Sequence, residues 1–202
     1  MKFKTRTYIG IQGEFLRSKV NQSIGVFDRF INDPNEPPFT VRIVPSSTRQ
    51  HLDYSEDAAS ITLNQLLSEA WAFGAQYSFV RSELDVTHPQ LTPLVRSRLD
   101  SVNGAELHNL NLSLLFNHPS GFFAQAESHW YWQQNSGAAA SLPGDSFQQL
   151  NLFCGYRFPR QRGDITVGVL NATDEDYRLN PVTAYAELPR KAVFYARLRF
   201  RF

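Results

Sequence analysis

One pattern recurs along this chain and narrows what it can fold into: apolar and polar residues alternate one for one over stretches of roughly eight residues or more. A clean instance is "KAVFYARLRFRF", residues 191–202. Side chains of a β-strand point to opposite faces with a period of two. Here the even positions Ala192, Phe194, Ala196, Leu198, Phe200 and Phe202 form a wholly apolar set. The odd positions Lys191, Val193, Tyr195, Arg197, Arg199 and Arg201 are mostly basic and polar. A helical period would mix the two sets around one surface. A strand over a soluble core fits the pattern, and so does a strand of a transmembrane barrel with lipid on one side and an aqueous lumen on the other.

The same sorting works along most of the chain, with turn signals between successes. In residues 2–16, Phe3, Ile9, Ile11 and Phe15 oppose Lys2, Lys4, Arg6, Gln12 and Glu14. "RSKVN" reads as a turn at 17–20, followed by a second strand over 21–30 with Ile24 and Val26 outward. A polar, proline-bearing segment from Ile31 to about Gln50 reads as a long loop. The third strand sets Ala59, Ile61 and Leu63 against Ser60, Thr62 and Asn64, with a slip near Ala58 and Ala59 that predicts a β-bulge. Trp71, Phe73, Ala75, Tyr77 and Phe79 then share one face. So do Leu110, Leu112, Leu114 and Phe116, and after them Phe122, Ala124, Ala126, Trp130 and Trp132. Leu150, Leu152, Cys154, Tyr156 and Phe158, followed by Ile165, Val167 and Val169, continue the series.

About nine strands result, most of them long enough to meet the ~9 to 11 residues that cross a bilayer at a tilt. The connections alternate. Links near 17–20, 68–70, 117–121 and 159–163 are tight, while those at about 29–50, 85–105, 134–145 and 172–190 are long. Bacterial barrels show this arrangement, with short periplasmic turns and longer outer loops. A soluble sandwich has no reason to sort its loops by strand parity. The expected fold is therefore all-β: a segment of an antiparallel, up-and-down transmembrane β-barrel of about nine strands, too few to close a large barrel.

Composition bounds the function. A formal net charge of +1 argues against nucleic acid held by bulk charge. Mean hydropathy of -0.35 and the lack of a long apolar run exclude a helical membrane protein but not a barrel, whose alternation hides its apolar residues from averaging. Cys154 is the only cysteine, so neither an internal disulfide nor a cysteine zinc cluster is expected. His51, His88, His108, His118 and His129 lack the spacing of metal ligands, so no metal or cofactor is expected. His129 with Glu127 on the same face would suit a barrel hydrolase, but lumen-lining polar residues are the commoner explanation, and no catalytic residue is assigned. Asp174, Glu175 and Asp176 read as a solvated outer loop, with cation or lipopolysaccharide binding as the alternative. Trp71, Trp130 and Trp132 fit an aromatic girdle.

Residues 155–202 resemble the C-terminal end of TonB-dependent receptors of Gram-negative outer membranes. The resemblance rests on a strand ending in "LN" at Asn171, the "DY" pair Asp176 and Tyr177, "ELPR" before the last strand, and an aromatic final residue. It implies that residues 1–202 are the C-terminal part of an outer-membrane barrel domain whose plug and earlier strands are absent. It also implies that Phe194, Leu198, Phe200 and Phe202 form the signal read by the barrel-assembly machinery. The expected function is outer-membrane uptake of a scarce ligand such as an iron chelate, cobalamin or an oligosaccharide, driven by TonB through the missing plug. The alternative is an export or passive-diffusion channel fused to a periplasmic repeat module; a barrel enzyme or a soluble β-rich binding protein stands third. Expected partners are outer-membrane lipid and lipopolysaccharide. Lys191, Arg197, Arg199 and Arg201 form a lumenal basic ladder that suits anionic solutes or the acidic groups of a plug, or else pairs with Glu14 and Glu127.

Overall fold

The computed structural model describes residues 6–31, 41–137, 144–179 and 188–200. Eight strands form one antiparallel sheet in which each pairs with its sequence neighbours: β1 (Thr7–Ile31), β2 (Val41–Leu66), β3 (Trp71–Thr87), β4 (Ser101–Asn117), β5 (Phe122–Gly137), β6 (Ser146–Arg157), β7 (Gly163–Leu170) and β8 (Val193–Phe200). The sheet is up-and-down and does not close: no ladder joins β1 to β8 among the described residues. Tight turns at 67–70, 118–121 and 158–162 lie at one end. The longer connections lie at the other.

The count of eight rather than nine comes from the first two expected strands. Residues 17–20 do not turn; β1 runs straight through them, paired with β2 from Thr7 opposite Gln65 to Ile31 opposite Val41. "RSKVN" is polar but carries no Gly or Pro to reverse the chain. Its charges instead find partners across the ladder, Arg17 with Asp57 at 2.6 Å and Lys19 with Asp53 at 2.6 Å. Since the face count is never reset, Ile24 and Val26 fall on the polar side and Phe27 on the apolar side. The register also passes Ala58 and Ala59 without a bulge, opposite Glu14 and Gly13. Most of the expected loop at 31–50 is strand as well. Pro45 is tolerated there because β2 pairs with β3 only from His51 onward, so at Pro45 it has one neighbour. In the expected loop at 85–105, β3 continues to Thr87, β4 starts at Ser101, and a short helix, α1 (Pro93–Leu99), begins with proline in its first turn.

Carried strand to strand, the register gives each face a composition. The odd residues of β1–β3, the even residues of β4–β6, the odd residues of β7 and the even residues of β8 share one face. It is apolar over the half of the sheet nearest the tight turns, and its side chains are uncovered: Ile11 is 83% exposed, Phe15 78% and Phe194 87%. The opposite face is mostly polar; it is covered over the middle strands, where Gln149 is 1% exposed and Tyr131 2%, and exposed along β1 and most of β8. This face is the inner one of a curved sheet, since the buried side chains of the strands, Ser82, Leu107, Tyr131, Phe147, Gln149 and Thr166 among them, all crowd on it. A small core of Leu107, Tyr131, Phe147, Tyr177 and Leu179, packed against Val80 and Leu188, sits inside the curve. Phe123 lies over Gly155, and Phe153 over Gly168, directly across from one another on adjacent strands. Each ring fills the space a glycine leaves in a strand.

Candidate functional site

The concave face carries three groups of functional side chains. In the middle, His129 and Glu127 of β5 form a chain of amide contacts. His129 Nδ1–H donates to Asn111 Oδ1 at 2.6 Å, and Asn151 Nδ2 donates to His129 Nε2 at 3.1 Å. Glu127 lies 3.7 Å from His129 and accepts from Gln125 Nε2 at 2.6 Å. Both ring nitrogens therefore face amide partners, and no Ser or Thr hydroxyl bonds His129 among the described residues. Thr62, Asn64, Gln76 and Ser113 extend the same surface around a hollow of about 360 Å³. Such a surface can hydrogen-bond a polar solute or water.

The second group holds the connection after β7. Asn171 is fully buried, with φ of 50°. Asparagine tolerates that left-handed conformation better than most residues. Its amide Nδ2 donates to Glu175 O at 2.8 Å and to Pro189 O at 3.0 Å, and Gln149 Nε2 donates to the same two oxygens at 2.9 Å each. Tyr177 stacks on Phe147, which stacks on Tyr131, with centroids 5.0 and 5.2 Å apart. The Tyr177 hydroxyl donates to Leu188 O at 2.9 Å and accepts from Leu188 N at 3.1 Å. Asp176 accepts from Tyr177 N at 2.9 Å and lies 3.7 Å from Arg190. Asn171, Asp176 and Tyr177 thus sit in one assembly, which closes the neck of the connection against the sheet. Gln149, Phe147 and Tyr131 complete it. Their inward parity was legible, but nothing local marks them as partners of a segment some 25 residues later in the chain.

The third group is basic. Arg197 and Arg199 project from β8 beside Asp164 of β7, at 3.7 and 3.9 Å. Arg157 joins them, donating to Asn117 Oδ1 at 2.7 Å with its guanidinium 4.5 Å above the Phe123 ring. Together with Leu115, Gln125 and Gly163 these residues line a hollow of about 490 Å³ at the tight-turn end. Asp164 is the acidic partner, a residue not singled out from the sequence; the expected alternatives Glu14 and Glu127 take no part in these ion pairs. Lys191 lies before β8 and is 4.0 Å from Asp174, away from the other two. Arg201 lies outside the described residues.

The apolar face bears aromatic rows at both limits of its apolar zone. Near the tight turns, Trp71 meets Phe116 at 4.7 Å, Phe116 meets Phe122 at 6.4 Å, and Tyr156, Phe158 and Phe200 continue the row. Toward the other end lie Tyr77, Phe79, His108, Trp130 and Trp132. Phe194, Leu198 and Phe200 stand on this face and are exposed. Phe202 lies outside the described residues. Beyond the second row the same face turns ionic, with Arg17, Lys19, Asp53, Asp57, Arg81 and Glu106.

No group of three or more His, Cys, Asp or Glu side chains is placed to hold a metal among the described residues. No family model, no curated protein and no solved structure matches this chain.

Proposed function

We propose that the chain is part of an outer-membrane β-barrel, the C-terminal strands of a receptor-like transporter that takes up a scarce ligand such as an iron chelate, cobalamin or an oligosaccharide. The observation that carries this reading is the inversion of the sheet: among the described residues every buried strand side chain lies on the polar face, over β2 to β7, while the apolar face is exposed or half-exposed. In water such an arrangement forfeits the main driving force of folding. Against lipid it is the favourable one. From Phe122 to Trp132 the apolar zone of β5 runs about 33 Å at ~3.3 Å per residue, or about 25 Å tall at a tilt of ~40°. That matches the ~25 Å lipid-facing band of outer-membrane barrels, and the two aromatic rows fall where its interfacial girdles would lie.

In this reading the tight turns face the periplasm, the longer connections face outward, and the concave face lines part of the lumen. An open sheet is untenable in a bilayer, so the reading requires that a closed barrel be completed around these eight strands. Leu198 and Phe200 face lipid near the periplasmic side and Phe194 about 20 Å further along the strand, a row that the assembly machinery would read.

Cys154, alone of its kind and exposed on the apolar face, gives the test. In intact membranes a water-soluble, impermeant maleimide is expected to leave it unlabelled until detergent and denaturant are added. Labelling at the same rate before and after would defeat the membrane reading. Uptake itself is tested in cells limited for each candidate ligand, with and without a protonophore. Loss of uptake with the protonophore supports an energised receptor, and unchanged uptake selects a passive channel.

A further inference from the structure

We infer that the basic hollow at the tight-turn end is a binding site for a multiply charged oxyanion, a polycarboxylate or a phosphate. Three guanidinium groups, those of Arg157, Arg197 and Arg199, line it, and the only carboxylate among its described lining residues is Asp164. The described lining therefore carries an excess of two positive charges, three less one. Its donors are also largely unspent. Arg197 and Arg199 approach Asp164 at 3.7 and 3.9 Å, beyond hydrogen-bond reach, and make no hydrogen bond among the described residues. Guanidinium forks match carboxylate and phosphate oxygens bidentately, so two idle forks side by side are a template for such an anion.

The surroundings sharpen the site. Arg157 is held by Asn117 and by the Phe123 ring, which fixes its guanidinium before any ligand arrives. Gln125 adds an amide donor, although it also donates to Glu127. Strand pairing sets Arg199 directly opposite Asp164, and Arg197 opposite Thr166, so the two forks rise from adjacent positions of one face. Their side chains are 45% and 46% exposed, so an anion can reach them and salt can screen them. Asp164 acts as an internal counter-charge: it lowers the repulsion between the two arginines, and it repels an incoming anion.

This inference concerns one hollow and stands whether or not the chain works in uptake. The test is calorimetric titration of the intact protein with pyrophosphate and, separately, with tricarballylate, at low and at raised salt. Both anions are expected to bind, more weakly as salt rises, and the tighter of the two identifies the preferred oxyanion. Arg197→Gln and Arg199→Gln are each expected to weaken binding about tenfold, equivalent to ~1.4 kcal/mol. Asp164→Asn is expected to tighten it. That gain separates a ligand site from a merely structural cluster, since loss of folding cannot raise an affinity. Absence of binding by the wild-type protein, or equal affinity across the wild type and the three variants, would overturn the inference.

Discussion

Gln149 and Asn171 donate their side-chain amides to the same two carbonyl oxygens, those of Glu175 and Pro189. Four hydrogen bonds thereby gather both ends of a long connection at one point on the concave face. Unsatisfied buried carbonyls cost about 1 to 3 kcal/mol each, and a buried amide removed from such a network is felt through all its partners. Asn171→Ala, which also puts alanine at φ of 50°, should lower unfolding stability by about 2 to 4 kcal/mol. Asn171→Gly relieves the backbone term and should cost less. A double-mutant cycle with Gln149→Leu should show coupling above ~0.5 kcal/mol, because the two amides share acceptors.

Gly155 has no room for a side chain. A Cβ there would lie 2.3 Å from Ile165 O and 2.5 Å from the Phe123 ring. Gly155→Ala should therefore destabilise by roughly 1 to 3 kcal/mol, read as a fall in unfolding midpoint. Trimming the ring with Phe123→Leu in the same chain should not restore stability fully, because the backbone oxygen remains in the way.

The unbroken course of β1 is open to a direct check. Neighbouring residues of an antiparallel strand alternate in whether their N–H joins the ladder, so one of Lys19 and Val20 must donate to β2. Proline placed at each in turn should cost about 3 kcal/mol or more at one position and less at the other. A turn at 17–20 would accept both, and equal tolerance would restore the nine-strand count.

His88, 5% exposed, is fastened by Asp100, whose Oδ1 accepts from the His88 backbone N–H at 2.8 Å and lies 3.1 Å from its ring Nδ1; Arg96 Nε donates to the other oxygen at 3.3 Å. Partial burial pushes the Asp100 carboxyl upward, but the bonds from the His88 ring, the His88 N–H and Arg96 outweigh it and hold the group below its ordinary value of 3.8. A depressed carboxyl stabilises the folded loop above its unfolded pKa, and that contribution is lost as pH falls through the lower, folded value. The His88 amide resonance should thus titrate with a midpoint below 3.8. Asp100→Asn should abolish the transition.

Much of this fold was legible from side-chain parity. The apolar sets on β3 through β8 fall on one face as alternation predicts, and the tight turns at 68–70, 117–121 and 159–163 recur within a residue or two. The reading failed where polarity stood in for geometry. Arg17 and Lys19 look like a turn until Asp53 is set opposite Lys19 and Asp57 diagonally across from Arg17, a pairing that needs register. The same limit applied to the candidate sites. Arg197 and Arg199 were identifiable one by one, but Asp164 became their partner only through the β7–β8 ladder. Asn171, Asp176 and Tyr177 were picked out through a resemblance, and the structure gives their local work: they fasten a connection.

The lipid-facing assignment of the apolar side is tested most directly by tryptophan fluorescence in brominated phospholipid vesicles, because Trp71, Trp130 and Trp132 all stand on that face, in its two aromatic rows. In membranes, all three should be quenched, and more strongly by bromines near the interface than by bromines at the bilayer centre, as girdle residues would be. Fluorescence that is indifferent to bromination would contradict a lipid-facing sheet and return the apolar face to a protein partner.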